Sequence, residues 1–287
     1  MARVLCAGHV NWDVTLRVDA LPVPDGEAAI AARSQAGGGS ASNTAAGLVG
    51  LGVETALAGS VGDDEHGSLV RRELSTLGVD CGPLRTVDGD TTVKYLVVGE
   101  DGRVMVLADD GANEAFTAGA VPDEQFAESD SLHLTGQSPE TAATLAERAA
   151  GAGLTVSVDP GRRVCDRDYG TAVAHAEYLF VNGRELECAR ERGLVARADA
   201  TVCKRGGDGA SLHGSNEYSH PGYDVDPVDT TGAGDAFAAG FLAAVLDGSS
   251  QQEALAVGNA CGALISRELG ARADLSWDAV ERVRTTD

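Results

Sequence analysis

The chain has 287 residues, with 44 acidic and 22 basic side chains and a formal net charge of −22. Lys94 and Lys204 are its only lysines. Such a surface disfavours nucleic acids and anionic membranes as partners, because both carry negative charge. We interpret the excess of acidic residues as halophilic adaptation, since counterions at high salt screen the self-repulsion.

Cysteine usage and hydropathy narrow the class further. The six cysteines show no C-x-x-C spacing, so we expect them to form neither a metal site nor a disulfide framework. The N-terminus runs directly into a strand pattern without a signal peptide, and no apolar run approaches the roughly 18 residues of a membrane span. These features predict a cytoplasmic protein.

The first part of the chain mixes buried and half-exposed strands. Residues 3–8 and 53–59 are predicted to be buried strands, and residues 44–50 and 65–77 helices. Four further strands alternate polar and apolar side chains, as strands with one wet face do. They span residues 11–18, 28–33, 91–99 and 103–108, with a hairpin turn at Glu100-Asp101-Gly102 between the last two. We expect these four to form one small sheet that projects as a lid.

From about residue 111 the chain alternates strictly between strands and helices, which is typical of a parallel sheet covered by helices. The predicted strands are 131–134, 155–158, 178–181, 201–204, 210–213 and 217–219. The predicted helices are 139–150, 168–175, 185–192, 233–246, 251–267 and 277–284. The prediction is one compact unit, with residues 1–10, 35–90 and 110–287 as the α/β core and residues 11–34 and 91–109 as the lid.

The segment 229–235, Asp-Thr-Thr-Gly-Ala-Gly-Asp, precedes an apolar run at helical spacing and therefore predicts a helix N-terminus. A helix start presents unpaired N–H groups, and glycines leave these open to an anion. Asp235 is either a helix cap or a base for a nucleophile that attacks a bound phosphate. We favour the base, because a fixed carboxylate that served no such purpose would only repel the phosphate.

Other polar residues are predicted near the same edge of the sheet. Asp13, Gly38, Gly39 and Asn43 lie where a short acid, an amide and open backbone would suit a polyhydroxyl ligand beyond the carboxyl ends of parallel strands. The alternative is a plain strand–helix turn.

Two more patterns directly follow predicted strands. Asn182-x-x-Glu185 fits either a helix cap or a carboxylate that holds hydrated Mg²⁺. The segment 204–209 fits either a hairpin turn or the close approach of backbone to a nucleotide. The sequence contains no Walker-type G-x-x-x-x-G-K-[ST] and no protein-kinase catalytic loop, so those classes are excluded.

In order and rough spacing, these patterns resemble the ribokinase-like (PfkB) carbohydrate kinases over essentially the whole chain. The resemblance rests on Gly38-Gly39…Asn43, Asn182-x-x-Glu185, Gly206-x-x-Gly209 and the 229–235 segment. It implies a three-layer α/β/α core with a small β-sheet lid. It also implies ATP-dependent phosphoryl transfer to a sugar or nucleoside hydroxyl, with Mg²⁺ and in many members K⁺.

The resemblance also implies residue roles. Asp235 resembles the catalytic base, and Gly232, Ala233 and Gly234 resemble its anion hole. Asp13, Gly38, Gly39 and Asn43 look like the sugar-binding positions. The residues that resemble the family's nucleotide contacts are Asn182, Glu185, Lys204, Gly206, Gly209 and Asn259. At the position of Lys204, threonine is commoner than lysine in ribokinases. Glu185 would also hold Mg²⁺ through water, and Asp229 and Thr231 resemble ligands of a monovalent cation.

The substrate is the open question. Lys94 on a lid strand and Arg162 and Arg163 after a buried strand are either solvent-facing residues or clamps for an anionic substrate. Gln137 is a candidate contact to a sugar hydroxyl. We expect a kinase of a ribose-type sugar, that is ribose, ribose 1-phosphate or a nucleoside, although few lid aromatics are present to stack on a base.

Two alternatives stay open at this point. One is a 2-keto-3-deoxy sugar-acid kinase, in which an arginine would clamp the carboxylate. The other is a catalytically silent sugar-binding homologue on the same fold. The edges of a lid would also allow two chains to pair as a homodimer.

Overall fold

The computed structural model of the chain describes residues 2–101, 103–109, 111–268, 270–272 and 274–285. Gly102 of the predicted hairpin turn and the predicted core boundaries at residues 1, 110 and 287 lie outside the described residues. In the part described, no helix is long and apolar enough to cross a membrane.

The strands divide between two sheets. In chain order they are β1 (Arg3–Ala7), β2 (Asn11–Val18), β3 (Ile30–Gly38), β4 (Glu54–Gly62), β5 (Leu84–Val87), β6 (Val93–Gly99), β7 (Val104–Ala108), β8 (Ser131–Thr135), β9 (Thr155–Asp159), β10 (Tyr178–Asn182), β11 (Ala200–Lys204), β12 (Ala210–His213) and β13 (Glu217–His220). The large sheet has the order β13-β12-β11-β10-β9-β8-β1-β4-β5. Its strands from β5 to β11 are parallel, and β12 and β13 are antiparallel additions at one edge.

Helices cover both faces of the large sheet. They are α1 (Ser40–Gly50), α2 (Glu65–Leu77), α3 (Asp123–Ala127), α4 (Pro139–Gly151), α5 (Gly170–Val173), α6 (Gly183–Glu191), α7 (Ala233–Leu246), α8 (Gln251–Ser266) and α9 (Trp277–Arg284). Successive strand residues point to opposite faces, so Val4 and Cys6 join one apolar core while Leu5 and Ala7 join the other. The first core packs under α1, α7 and α8, and the second under α4 and α6. The predicted three-layer α/β/α fold is thus confirmed.

The four strands with a wet face form a separate small sheet of order β3-β2-β6-β7. Strands β2 and β6 are parallel neighbours, and the two outer pairs are antiparallel. Strand β3 continues to Gly38, beyond the boundary predicted after residue 34. The assignment of this sheet as a lid remains a prediction.

Some predicted elements differ from those observed. Helix α1 begins at Ser40 rather than Thr44, with Gly39 as its N-cap at φ 95°. Residues 40–43, Ser-Ala-Ser-Asn, were not included in the predicted helix, because serine and asparagine side chains often compete for the hydrogen bonds of the helix backbone. Here, however, Ser42 Oγ donates back to the carbonyl of Gly38 at 2.5 Å, inside the helix start. The short elements β5 and α3 were not predicted, and α5 covers only four of the eight residues predicted at 168–175.

The expectation of no disulfide was wrong. Cys165 and Cys188 are bonded, with a Cα–Cα distance of 5.0 Å and a sequence separation of 23. Cys165 ends a short 3₁₀ turn at Gly161–Cys165, and Cys188 lies in α6, which packs against that turn. The pairing arises from packing of distant segments, so sequence spacing could not reveal it.

Candidate active site

Polar residues gather where the parallel strands of the large sheet end. His9 follows β1, Gln137 follows β8, and Asp159, Asn182 and Lys204 are the last residues of β9, β10 and β11. Adjacent parallel strands end at the same edge of a sheet, so this chain order brings distant segments together. The start of α7 lies beside this edge, since Lys204 Nζ would be 3.4 Å from a Cβ placed on Gly234.

The start of α7 is built by a glycine in the left-handed conformation. Gly232, the N-cap, has φ 76°, and among the described residues no side chain caps this helix. A Cβ at Gly232 would lie 2.4 Å from the carbonyl oxygen of Ala271, so a larger residue does not fit. The uncapped first turn of Ala233 and Gly234 is therefore suited to receive an anion.

Asp235 is half-buried in that first turn, and its Oδ2 accepts a hydrogen bond from Asn43 Nδ2 at 2.9 Å. Burial raises the pKa of Asp235 to about 6, with a further upward contribution from Asp159, against the Asn43 hydrogen bond and nearby Lys204 and Lys94. A carboxylate with such a pKa is ionised at neutral pH yet basic enough to accept a proton efficiently. Asp235 thus has the properties of a general base next to an anion hole.

An ion pair that the sequence analysis missed lies beside the base. Lys204 Nζ donates to Asp159 Oδ2 at 2.5 Å, and both side chains are largely buried. Burial opposes the charge of Lys204, but the attraction of Asp159 prevails and its pKa is raised. Lys204 therefore carries a fixed positive charge toward the first turn of α7. The position of Asp159 after a buried strand was the sequence signal that could have revealed it.

The small sheet contributes Asp13 and Lys94, which are direct neighbours across strands β2 and β6. Burial raises the pKa of Asp13 and lowers the pKa of Lys94, and each opposes the shift of the other. Gly38 is required here, because a Cβ on it would lie 1.9 Å from Asp13 Oδ2. The other oxygen of Asp13 is buried and makes no hydrogen bond of good geometry in the described structure, although the nearby Asn11 side chain acts to lower the pKa of this carboxyl group. Asp13 thus has a free acceptor for a ligand hydroxyl.

Two arginines near Lys94 lie on the Gly161–Cys165 turn, which follows β9. The positive charges of Arg162 and Arg163 both lower the pKa of Lys94. Both guanidinium groups are therefore close enough to Lys94 to repel its charge. Arg163 Nη1 lies 3.1 Å from Glu114 Oε1, and Arg167, which was not predicted, donates to the two oxygens of Glu114 at 2.7 and 2.9 Å. Glu114 neutralises part of this charge and fixes two of the guanidinium groups.

Gln137 lies in a buried polar cluster at the base of the cleft. Its Nε2 donates to the carbonyl of Asn113 at 3.4 Å, while its Oε1 has no partner in the described structure. Asn113 Nδ2 donates to Asn11 Oδ1 at 2.6 Å, and the Nδ2 of Asn11 is likewise buried and unpaired there. Buried polar groups without partners are rare in proteins and mark places where a polar ligand or water binds.

Asn182 and Glu185 form a capping box at the start of α6, as the alternative interpretation predicted. The Glu185 side chain accepts from the Asn182 N–H at 2.8 Å, and Asn182 Oδ1 accepts from the Glu185 N–H at 2.9 Å. Burial, and then the negative charge of Asp159, raise the pKa of Glu185. A cation near Glu185 and Asp159 would relieve the repulsion between these two carboxylates. Among the described residues no three carboxylate, histidine or cysteine groups cluster as a metal site. The arrangement fits a Mg²⁺ ion held mainly by phosphates and water.

The other predicted nucleotide residues are less directly placed. Gly206 and Gly209 lie in the short turn between β11 and β12, and at Gly209 a Cβ would lie 2.0 Å from the carbonyl oxygen of His220. Asn259 is buried in α8 and donates to the carbonyl of Leu255 at 2.7 Å. No described contact joins Asn259 to the site residues.

Asp229 organises the segment before α7. Its Oδ1 accepts from the Thr231 N–H at 2.9 Å and its Oδ2 from the Gly270 N–H at 3.0 Å. Each carboxylate oxygen retains a further lone pair for a cation. The carboxylate thus ties the loop after α8 to the start of α7, and it stays available to a monovalent ion.

An open helix start beside a carboxylate of raised pKa is the arrangement of an enzyme that transfers a phosphoryl group to a hydroxyl. Residues 1–278 match the model of the pfkB family of carbohydrate kinases. The chain belongs to this family, which confirms the predicted resemblance and the predicted enzyme class.

Three relatives are similar to this chain over nearly their whole lengths. The chain is 52% identical to the ATP-dependent ribose-1-phosphate kinase of Halopiger xanaduensis, over 98% of this chain and 97% of that protein. The nucleoside kinase of Methanocaldococcus jannaschii has a TM-score of 0.85 at 25% identity, covering 99% of this chain and 98% of that one. A ribokinase of Thermotoga maritima has a TM-score of 0.88 at 23% identity, with full coverage of both chains, and shows the shared fold.

Proposed function

We propose that the protein is an ATP-dependent kinase of ribose 1-phosphate. The observation that carries the choice of an anionic sugar is that Lys94, the cross-strand neighbour of Asp13, lies within electrostatic range of Asp235, Arg162 and Arg163. The 52% identity to a ribose-1-phosphate kinase supports the same substrate. The phosphate of the substrate would add a counterion beside the partly buried Lys94, whose charge is otherwise balanced by Asp13 and Asp235.

The two ends of the substrate would meet different groups. Asp13 and Asn43 lie on the Asp235 side and would bind sugar hydroxyls, with Gly38 and Gly39 allowing close approach. Lys94, Arg162 and Arg163 would bind the substrate phosphate, and Gln137 offers its unpaired oxygen to a further hydroxyl. Arginine and lysine bind phosphate through charge-assisted hydrogen bonds, which are stronger than neutral ones.

The chemistry is a displacement at the γ-phosphorus of ATP. Asp235 accepts the proton of the acceptor hydroxyl as its oxygen forms a bond to phosphorus. The bond between phosphorus and the bridging oxygen breaks, and ADP leaves with the electron pair. The N–H groups around Gly232, Ala233 and Gly234, with Lys204 beside them, stabilise charge on the transferring phosphoryl oxygens.

The remaining nucleotide contacts are part of the proposal. Asn182, Glu185, Gly206, Gly209 and Asn259 would line the ATP side of the cleft. Mg²⁺, held by Glu185 through water, would neutralise phosphate charge. K⁺ at Asp229 and Thr231 would stabilise the loop that supports the anion hole.

The setting of the enzyme belongs to the same proposal. The charge of −22 favours a cytoplasm rich in salt and disfavours nucleic acid and membranes as partners. The small sheet would act as a lid over the sugar. Its edge strand β7 exposes apolar side chains, among them Leu107 at 55% and Val104 at 48%, and would pair two chains into a homodimer.

A panel of acceptors tests the function. The panel contains ribose 1-phosphate, ribose, nucleosides and 2-keto-3-deoxygluconate, each with MgATP in high KCl, with ADP release and ³¹P NMR of the product as readouts. We expect the highest kcat/KM for ribose 1-phosphate. A higher kcat/KM for the sugar acid would show that the proposed substrate is wrong. Binding of sugars without any release of ADP would identify a silent homologue.

A further inference from the structure

Arg272, in the segment that follows α8, connects three parts of the site. Its Nε donates to Asn43 Oδ1 at 3.1 Å, its Nη2 to Ser42 Oγ at 2.7 Å and its Nη1 to Glu73 Oε1 at 2.8 Å. The side chain is only 11% exposed. A buried guanidinium with three separate acceptors has one orientation in which all of its bonds are formed.

The chemistry of these bonds determines how the Asn43 amide is turned. Arginine can only donate hydrogen bonds, so the atom of Asn43 that faces Arg272 must be the carbonyl oxygen. The amide nitrogen then points the other way, where it donates to Asp235 Oδ2 at 2.9 Å. A reversed amide would place its oxygen against the carboxylate and lose both hydrogen bonds.

Arg272 is itself held in place from the other side. Glu73 in α2 accepts from Arg272 with Oε1 and from the Gly37 N–H with Oε2 at 2.9 Å. The neighbouring Ala271 packs against Gly232 at the start of α7. The guanidinium is therefore linked through Glu73 to strand β3 of the small sheet, and the backbone next to Arg272 lies against the turn that precedes Asp235.

We propose that Arg272 is a positioning residue for phosphoryl transfer, which orients the Asp235 carboxylate through the amide of Asn43. This inference rests on the proposed role of Asp235 as the base. All three hydrogen-bonding nitrogens of the Arg272 guanidinium are occupied by Asn43, Ser42 and Glu73. Its effect on the reaction is thus exerted through the orientation of Asn43 and through the attraction of its own charge for the Asp235 carboxylate.

The Arg272→Met variant tests this role, with Arg148→Met as the matched control. Arg148 in α4 makes three comparable bonds, to the carbonyls of Ala118 and Val121 and to Asp123, and is 25% exposed. These bonds stabilise the helix layer that contains α4 and do not involve the start of α7. The loss of Arg148 should therefore show only the effect of a general decrease in the stability of the fold. The measurements are kcat, the KM values of ATP and ribose 1-phosphate, and the pH dependence of kcat.

For Arg272→Met we expect kcat to fall by roughly 10²-fold, the typical effect of a misplaced catalytic group, while the KM of ATP is unchanged. The acidic limb of the kcat profile moves to higher pH, since the Asn43 hydrogen bond and the nearby guanidinium both favour ionised Asp235. The other charges facing Asp235, those of Asp159, Lys204 and Lys94, remain in the variant. Arg272→Lys restores part of kcat, because an ammonium still donates to Asn43.

Three results would overturn the proposal. The first is a wild-type kcat and pH profile in Arg272→Met. The second is a raised KM for ribose 1-phosphate at unchanged kcat, which would make Arg272 a substrate contact. The third is an equal loss of kcat in Arg148→Met.

A titration separates this proposal from the function itself. The carboxyl pKa of Asp235 can be followed by ¹³C NMR, with the signal assigned from Asp235→Asn, and needs no turnover. If the unaltered enzyme phosphorylates no acceptor, the proposed function fails, but a higher pKa in Arg272→Met still supports positioning. An unchanged pKa in that variant rejects it.

Discussion

At the scale of single residues, burial gives Asp235 two opposite effects. It raises the pKa of the carboxyl group to about 6, which makes the carboxylate a better proton acceptor. It also leaves an unfavourable charge in the folded protein whenever the group is ionised. Activity and stability should therefore respond to Asp235 in opposite directions, a common trade-off in active sites.

The Asp235→Asn variant should lose activity and keep binding. An amide cannot accept the proton, so kcat should fall by roughly 10²–10⁴-fold, the usual contribution of a general base. The KM of ribose 1-phosphate and the Kd of ATP, measured by kinetics and calorimetry, should stay close to wild type. A decrease in kcat below about tenfold would remove Asp235 from this role.

The same variant should be more stable than wild type at pH 8. The folded-state pKa of Asp235 lies above its ordinary value of 3.8, so protonation stabilises the fold at low pH and this stability is lost as pH rises through about 6. Asparagine has no charge to bury, so its Tm advantage should be present at pH 8 and disappear below pH about 4. Thermal unfolding across this pH range provides the measurement, and an equal Tm difference at all pH values would contradict it.

Lys94 should distinguish anionic from neutral acceptors. Loss of a charge-assisted hydrogen bond in Lys94→Ala should raise the KM of ribose 1-phosphate by roughly ten- to a hundredfold, with a far smaller effect on ribose. Arg33→Ala removes an exposed cation from strand β3 of the same sheet and is the control. Equal KM changes for both acceptors would show that Lys94 does not bind the phosphate.

At the scale of elements, local sequence patterns predicted the bounds of several helices and strands. They could not predict features that depend on contacts between distant segments. Strand β2 and helices α2, α7 and α9 have the predicted bounds, because their periodicity, caps and glycines are local signals. The glycines and the acid likewise predicted the start of α7, whose role as an anion hole stays a prediction. Arg272 escaped because its partner Asn43 is 229 positions away, and no local pattern distinguishes it from a surface arginine.

The disulfide offers a test at this scale. Removing the Cys165–Cys188 bond, which closes a loop of 23 residues, should lower the free energy of unfolding by about 3 kcal/mol through unfolded-state entropy. The Cys165→Ser/Cys188→Ser variant and reduced wild type should agree in urea unfolding at constant KCl. Thiol titration of the denatured, unreduced protein should find the four free cysteines, and six reactive thiols would show that the bond is absent.

At the scale of the whole molecule, the net charge of −22 should make stability depend on salt. The screening length falls from about 10 Å at 0.1 M to about 3 Å at 1 M, so repulsion between surface carboxylates weakens. We expect Tm to rise with KCl and NaCl alike. Activity at matched ionic strength should be higher in KCl if Asp229 and Thr231 bind K⁺. A Tm independent of salt would exclude the halophilic interpretation.

The two lysines have a consequence for chemical labelling. The charges of Lys94 and Lys204 both lower the pKa of Asp235, so both lysines are near the candidate active site. An amine-reactive reagent can therefore modify side chains only at this site. Burial lowers the pKa of Lys94, whereas Asp159 raises that of Lys204, and the unprotonated amine is the reactive form. Lys94 should therefore be acylated before Lys204. Because Lys94 is the proposed phosphate contact, ribose 1-phosphate should protect it from the reagent, and acylation should weaken binding of this substrate.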